Sequence, residues 1–182
     1  YKRFKKMKKI EYSKSHTGLQ VLYFDVVSLL LSTDYLNRHP QMRSITEIEN
    51  YFSMSHASFL EQVTLDPEGT ELLNVFCMNS NVLLYPLGTL FPRGFLIRQG
   101  IKQEYIASDE RLTLRLNDSN PIRRMLAHAF RVNTDWRVVG NLDQYDIQLS
   151  SFASRYIKTD GHSGVTENLI REISDSFQNE LW

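Results

Sequence analysis

The side chain most suggestive of catalysis or metal binding in this sequence is that of Asp25, a carboxylate inside the apolar run of residues 22–27. A carboxylate at the end of a strand can hold a divalent metal ion for nucleotidyl chemistry. Such a site needs a second carboxylate on a neighbouring strand near a tight hairpin, and the hairpin predicted at residues 78–82 has none. We therefore interpret Asp25 as a strand-edge residue or the partner of an arginine, with a metal-dependent enzyme on a cyclase-like or nuclease-like scaffold as an alternative.

The other reactive side chains form no catalytic or metal-binding pattern. No two of the five histidines are three or four residues apart, and the sequence has neither a glycine-rich phosphate loop nor a Gly-x-Ser-x-Gly motif. The single Cys77 lies in an apolar run, which predicts a buried thiol and favours a reducing compartment. We expect a protein that is not an enzyme and that has no catalytic residues, metal site or cofactor.

Basic residues are concentrated at the start of the sequence. Residues 1–14 contain seven of them and one carboxylate, Glu11, which gives a net charge of +6 in a chain whose total is zero. Such a cluster attracts polyanions, although it can also serve as a solvated terminus. We predict that residues 1–18 form a flexible basic arm that contacts an anionic membrane surface or RNA. Its basic side chains are Lys2, Arg3, Lys5, Lys6, Lys8, Lys9 and Lys14.

A second cationic surface is predicted on a helix. The segment Asn117-Asp118-Ser119-Asn120-Pro121 supplies side-chain oxygens for an N-cap and a proline for the first helical position, and apolar residues then recur with helical spacing from Ile122 to Phe130. The pattern places His128 and the arginines away from the apolar face. We predict that this helix binds RNA or a neighbouring subunit through Arg123, Arg124 and Arg131. Further basic residues are spread from Arg93 to Arg137 with Tyr85, Phe95 and Tyr105 among them, a combination that suits single-stranded nucleic acid.

The elements that would position these residues are predicted as one domain, residues 19–182. Residues 71–78, 82–87, 94–97 and 111–116 are short apolar or alternating runs separated by turn residues, which is typical of an antiparallel meander. Further strands are predicted at residues 19–31, which should be central, and 59–65, with a last helix at residues 166–181. The fold class is therefore α+β, an antiparallel β-sandwich-like or half-barrel core flanked by helices. No run is long and apolar enough to span a bilayer, and no secretory signal is recognisable.

Taken in order, seven segments resemble the matrix proteins of bornaviruses and, through them, those of rhabdoviruses and other negative-strand RNA viruses. The similarity covers about residues 19–142 and rests on collinearity. The segments are LYFDVV (22–27), IENYFSM (48–54), LDPEG (65–69), LLNVF (72–76), LL (83–84), LRLN (114–117) and AHAFR (127–131).

This resemblance implies a viral matrix protein that self-associates, lines the inner face of the viral envelope and binds ribonucleoprotein or single-stranded RNA during assembly and budding. Its partners would be an anionic membrane, viral nucleoprotein or RNA, and further copies of itself. Its location would be the virion beneath the envelope, the host cytoplasm and the inner face of host membranes, or the nucleus. The alternative from another class is a monomeric module that binds single-stranded RNA and regulates translation or transcription.

Overall fold

The computed structural model describes residues 20–47, 50, 52–108, 119–179 and 181. In these residues the chain forms a four-stranded sheet with strand order β2-β1-β3-β4, and every neighbouring pair is parallel. The basic arm and the strand predicted at residues 111–116 lie outside the described residues. The strands are β1 Gln20–Phe24, β2 Val82–Pro86, β3 Asp135–Gly140 and β4 Tyr156–Lys158.

The predicted antiparallel sandwich or half-barrel is therefore wrong. Parallel strands cannot be joined by tight hairpins, so each connection must cross a face of the sheet, and here the crossings contain helices. These helices are α1 Val26–Leu30, α2 Thr33–Arg38, α3 Pro40–Thr46, α4 His56–Gln62, α5 Pro67–Asn79, α6 Arg93–Arg98, α7 Pro121–Val132, α8 Asp146–Leu149 and α9 Glu167–Gln178. Single-turn 3-10 helices cover Gln103–Tyr105 and Asp143–Tyr145, and a longer one covers Ser150–Arg155.

The core has two layers, one on each face of the sheet. Leu22 and Phe24 of β1 pack into the larger cluster, with residues of α1, α5 and α9. Val21 and Tyr23 point to the opposite face and pack with α7 and with the segment after β3. Burial on both faces is typical of a parallel sheet, and the strand order confirms the prediction that the first strand is central. The strand predicted over residues 19–31 is too long, however, because it ends at Phe24 and residues 26–30 form α1.

Two predicted strands are helices in the structure. Residues 71–78 belong to α5 and residues 94–97 to α6. The Asp66-Pro67-Glu68-Gly69 turn is in fact a helix start, because the Asp66 carboxylate accepts a hydrogen bond from Glu68 N and Pro67 occupies the first turn. Residues 59–65, predicted as a strand, contain the end of α4 followed by irregular chain.

Helix α7 is confirmed, with its predicted cap. The Asn120 side-chain oxygen accepts hydrogen bonds from the amides of Ile122 and Arg123. The predicted helix face is partly wrong, however, because Phe130 is 90% exposed and His128 is fully buried. The last helix is also confirmed: Thr166 caps α9, whose buried residues are Leu169, Ile173 and Phe177.

Candidate functional site at the carboxyl edge of the sheet

Parallel sheets with helices on both faces bind ligands at the carboxyl ends of their strands, most often where the connections turn to opposite faces. In this fold that point lies between β1 and β3. The chain leaves β1 into α1 on one face, whereas the segment after β3 packs on the other. The carboxyl edge is therefore where a ligand site is expected on topology alone.

Asp25 lies at this edge, directly after β1. Its backbone extends the sheet, since its N–H donates to Val139 O at 3.0 Å. Its carboxylate caps α1 by accepting from Ser28 N at 3.2 Å through Oδ2. Within the described part of the chain, Oδ1 accepts no hydrogen bond. Asp25 is thus positioned by two local contacts and keeps one carboxylate oxygen for another partner.

The segment after β4 covers the β1 and β3 part of the edge. Gly161 O accepts a hydrogen bond from Thr33 N at 3.1 Å, which fixes this segment to the start of α2. At Gly164, with φ of +68°, an added Cβ would lie 2.7 Å from Leu29 O. The glycine is required by this close approach as well as by its left-handed backbone. The more open part of the carboxyl edge is on the other side of β1, at the end of β2.

A cavity of about 190 Å³, which we call the β2 pocket, is found there. Leu87 N donates to Phe24 O at 2.9 Å, so the backbones of Leu87 and Asp25 are neighbours about one strand spacing, roughly 5 Å, apart. The chain then passes Gly88 and Thr89 around the mouth of the cavity. The pocket is lined by Tyr85, Pro86, Gly88, Thr89, Phe91, Pro92, Arg93, Ile106, Ala107 and Arg124.

Arg93 supplies a positive charge to this pocket. Its Nη1 donates to the carbonyls of Ile106 and Ala107 at 2.9 and 3.2 Å, and Nη2 donates to Gln103 O at 3.1 Å. These bonds fix the guanidinium while using three of its five N–H groups. Arg93 is half-buried, and among the described residues no carboxylate pairs with its charge.

The inner wall of the pocket rests on a buried polar network. The Tyr85 ring stacks on His128 with ring centroids 3.9 Å apart. His128 Nδ1 is 2.7 Å from Tyr23 Oη and its Nε2 is 2.8 Å from Ser108 O. Because a carbonyl only accepts, Nε2 carries the proton and Nδ1 accepts from the Tyr23 hydroxyl. Burial, and then the neighbouring Tyr85, raises the pKa of Tyr23 above its usual value, so this hydroxyl remains a donor.

The structure separates the predicted helix arginines. Arg124 lines the β2 pocket, whereas Arg123 and Arg131 are exposed. The predicted association of arginines with aromatic residues is present here, since Tyr85, Arg93 and Arg124 line one cavity. The predicted arm residues lie outside the described part. Sequence reasoning missed Gly88 and Thr89, although their position directly after an apolar strand is the one signal that could have identified them.

Other described features are less suited to a ligand. A wider groove of about 610 Å³ lies between α2, α3 and the start of α5, but Arg38 Nε and His39 Nδ1 of its lining residues bond to the α2 carbonyls of Asp34 and Tyr35. Among the described residues, no group of three or more His, Cys, Asp or Glu side chains could hold a metal ion. Within the same residues, no helix has the length and apolarity needed to cross a bilayer.

Comparisons with protein-family models, with curated proteins and with solved structures give no match for this chain.

Proposed function

We propose that this protein binds a small phosphorylated ligand at the carboxyl edge of its sheet, with the phosphate in the β2 pocket. The supporting observation is the fixed guanidinium of Arg93, which is partly buried in the pocket and pairs with no described carboxylate. A charge in that state is stabilised by a bound anion, and arginine is the side chain best suited to phosphate. Arg124 would provide the second positive charge.

The size of the cavity favours a phosphate group over a whole cofactor. A cavity of 150 Å³ can hold benzene, and sites for larger organic ligands occupy about 300–1,000 Å³. At about 190 Å³, the β2 pocket is large enough for a phosphate and a few further atoms. The remainder of the ligand would extend past Thr89, which is exposed at the mouth.

Isothermal titration calorimetry with inorganic phosphate and glycerol 3-phosphate tests this proposal, with glycerol as the unphosphorylated control. Arg124→Gln removes one charge from the pocket and is expected to weaken binding about 10- to 150-fold, the range for a charge-assisted hydrogen bond. The matched control is Arg123→Gln, the adjacent arginine of α7, which is exposed and does not line the pocket. Equal affinities for the two variants and the wild type would contradict the proposal.

Phosphoryl transfer is a second candidate function, and the placement of Asp25 favours it. Asp25 does not line the β2 pocket, but it directly follows β1, the strand next to the one that ends there, and its Oδ1 accepts no hydrogen bond from the described residues. Aspartate carboxylates can attack phosphorus and form an acyl phosphate that water then hydrolyses. The test is release of p-nitrophenol from p-nitrophenyl phosphate, with and without Mg²⁺. Asp25→Asn should abolish turnover while leaving phosphate affinity unchanged or higher; turnover by this variant would exclude Asp25 as the nucleophile.

The viral matrix interpretation remains a prediction. The antiparallel fold that the resemblance implied is wrong, which removes one of its supports. Its other support from the residues is the cationic surface, and the basic arm that provides most of this charge lies outside the described part. The self-association that it implies is untested. A phosphorylated ligand accounts for the geometry of the carboxyl edge more directly, and it is therefore the function we propose.

A further inference from the structure

Helix α7 presents two opposite faces. Ile122, Met125 and Ala129 are buried against the sheet, which is the ordinary role of an amphipathic helix. The opposite face carries Phe130, whose side chain is 90% exposed. A single exposed apolar residue is common on protein surfaces. Phe130 differs because arginine side chains lie on the same face of the helix.

Two arginines share the outward face with this ring. Arg123 precedes Phe130 by seven residues, so the two lie nearly in line and about 10 Å apart along the helix axis. Arg131 follows the ring directly, and both arginines are exposed. The helix contains three arginines and no acidic residue. The outward face is therefore a strip of positive charge with an aromatic ring near its end.

We propose that the outward face of α7 binds single-stranded nucleic acid, with a base stacked on Phe130 and backbone phosphates paired with Arg123 and Arg131. Sites of this class combine a cationic track with aromatic side chains on which bases stack. The ring provides a stacking surface that depends little on base identity. The inference goes beyond the proposed phosphate site, because Phe130 does not line the β2 pocket.

The same observations disfavour the other occupants of such a face. A helix that lies in a membrane interface buries a continuous apolar face among lipids, whereas the apolar face of α7 is already packed in the core. A stable contact between two proteins buries about 800 Å² on each partner, far more than one phenylalanine offers. Charge complementarity to a polyanion is what remains.

The experiment is fluorescence anisotropy with the 182-residue chain and an oligoadenylate of about 12 nucleotides, labelled at its 3′ end and carrying a 5′-hydroxyl. Phe130→Ala should weaken binding about 5- to 150-fold, the range for loss of one stacked base. Phe130→Trp should keep the affinity within a few-fold, because it retains a ring. Arg131→Gln should make the slope of log affinity against log salt shallower by about 0.7, the value for one lost phosphate contact with a single strand.

The matched control is Ile147→Ala, which removes an equally exposed apolar side chain, 91% accessible, from α8. It should leave affinity unchanged. An affinity for Phe130→Ala equal to that of the wild type would overturn the proposal, as would a wild-type chain that does not bind the oligonucleotide. If Phe130→Ala instead reduced pelleting with phosphatidylserine vesicles or shifted a monomer–dimer equilibrium, with oligonucleotide affinity intact, the face would be assigned to lipid or to self-association. The proposal that the β2 pocket binds phosphate is tested separately, by calorimetry with glycerol 3-phosphate and the Arg124→Gln variant, so failure of one proposal does not imply failure of the other.

Discussion

Replacement of Arg137 tests whether the buried charges at the amino edge of the sheet stabilise the fold. This arginine of β3 is fully buried and pairs with Asp135 at 2.7 Å. It also donates to Ser176 O at 2.7 Å and to Asn179 O at 2.6 Å, where helix α9 ends. Its guanidinium lies 5.0 Å from the centre of the Phe177 ring. Arg137 therefore caps the carboxyl end of α9 and joins it to the sheet, a position that the helix dipole favours for a cation.

Arg137→Met keeps an unbranched apolar stem but removes the guanidinium and every one of these hydrogen bonds. Breaking a buried ion pair costs about 3–5 kcal/mol because the remaining charge loses its partner. Here Asp135 retains Arg155, whose Nη1 is 2.8 Å away. We therefore expect the lower end of the range, about 3 kcal/mol of unfolding free energy. For a domain of this size that corresponds to a decrease in Tm of about 6–12 °C.

Urea denaturation followed by circular dichroism measures this loss, and hydrogen exchange at the end of α9 shows whether the helix opens locally. Arg38→Met is the control, since Arg38 is exposed and makes one hydrogen bond, to Asp34 O. Its effect should stay within about 0.5 kcal/mol. A cost below about 1 kcal/mol for Arg137→Met would refute the reasoning, because a buried pair with six donated bonds cannot be that weakly coupled.

Three further outcomes are expected. Gly140→Ala should lower the free energy of unfolding, measured in urea, by about 1–3 kcal/mol, because φ is +155° and the new Cβ would lie 2.6 Å from Asp25 Cβ. The control is Gly94→Ala, which should leave this free energy unchanged because its Cβ would approach no atom closer than 3.5 Å. Burial raises the pKa of the Cys77 thiol to about 12, so a disulfide reagent at pH 8 should label it at the rate of unfolding and not at that of free cysteine. The matrix prediction requires that sedimentation over a concentration series shows salt-sensitive oligomers that recruit single-stranded RNA, and a strict monomer would contradict it.

The helices that the sequence predicted correctly are those with a local cap and a strong period. Asn120 and Pro121 fix the start of α7, and Thr166 fixes the start of α9. Their buried positions follow the 3.6-residue spacing, so little tertiary information was needed. The errors on α7 concern two positions at the margin of its apolar face, since Phe130 was predicted to be buried and His128 to be exposed. His128 is buried because Tyr23 and Ser108 satisfy both ring nitrogens, and these partners are distant in sequence.

Local signals of this kind could not predict that neighbouring strands are parallel. Asp66 and Pro67 are equally compatible with a turn and with a helix start, and only the contacts made by the following residues decide between them. Gly69 within α5 looks like a turn residue, but it is there because an added Cβ would lie 2.7 Å from Leu30 Cδ2. With the run after Pro67 folded as a helix, the chain between β1 and β2 contains the kind of crossover that parallel strands require, and the two strands are parallel in the structure. One local ambiguity thus changed the predicted fold class.

The two edges of the sheet use their charges differently, and this difference supports a ligand at the carboxyl edge. At the amino edge, Asp135 forms ion pairs with both Arg137 and Arg155. Arg155 also donates a hydrogen bond to Leu181 O. At the carboxyl edge, the described residues provide neither a carboxylate partner for Arg93 nor a hydrogen-bond donor to Oδ1 of Asp25. Charges that stay partly buried without partners lower stability, and proteins retain them where function requires it. Phosphate should therefore raise the Tm of this protein, by an amount equivalent to about 2.7 kcal/mol at a concentration 100 times Kd, and a 10- to 150-fold weakening by Arg124→Gln should remove about half to nine-tenths of that gain.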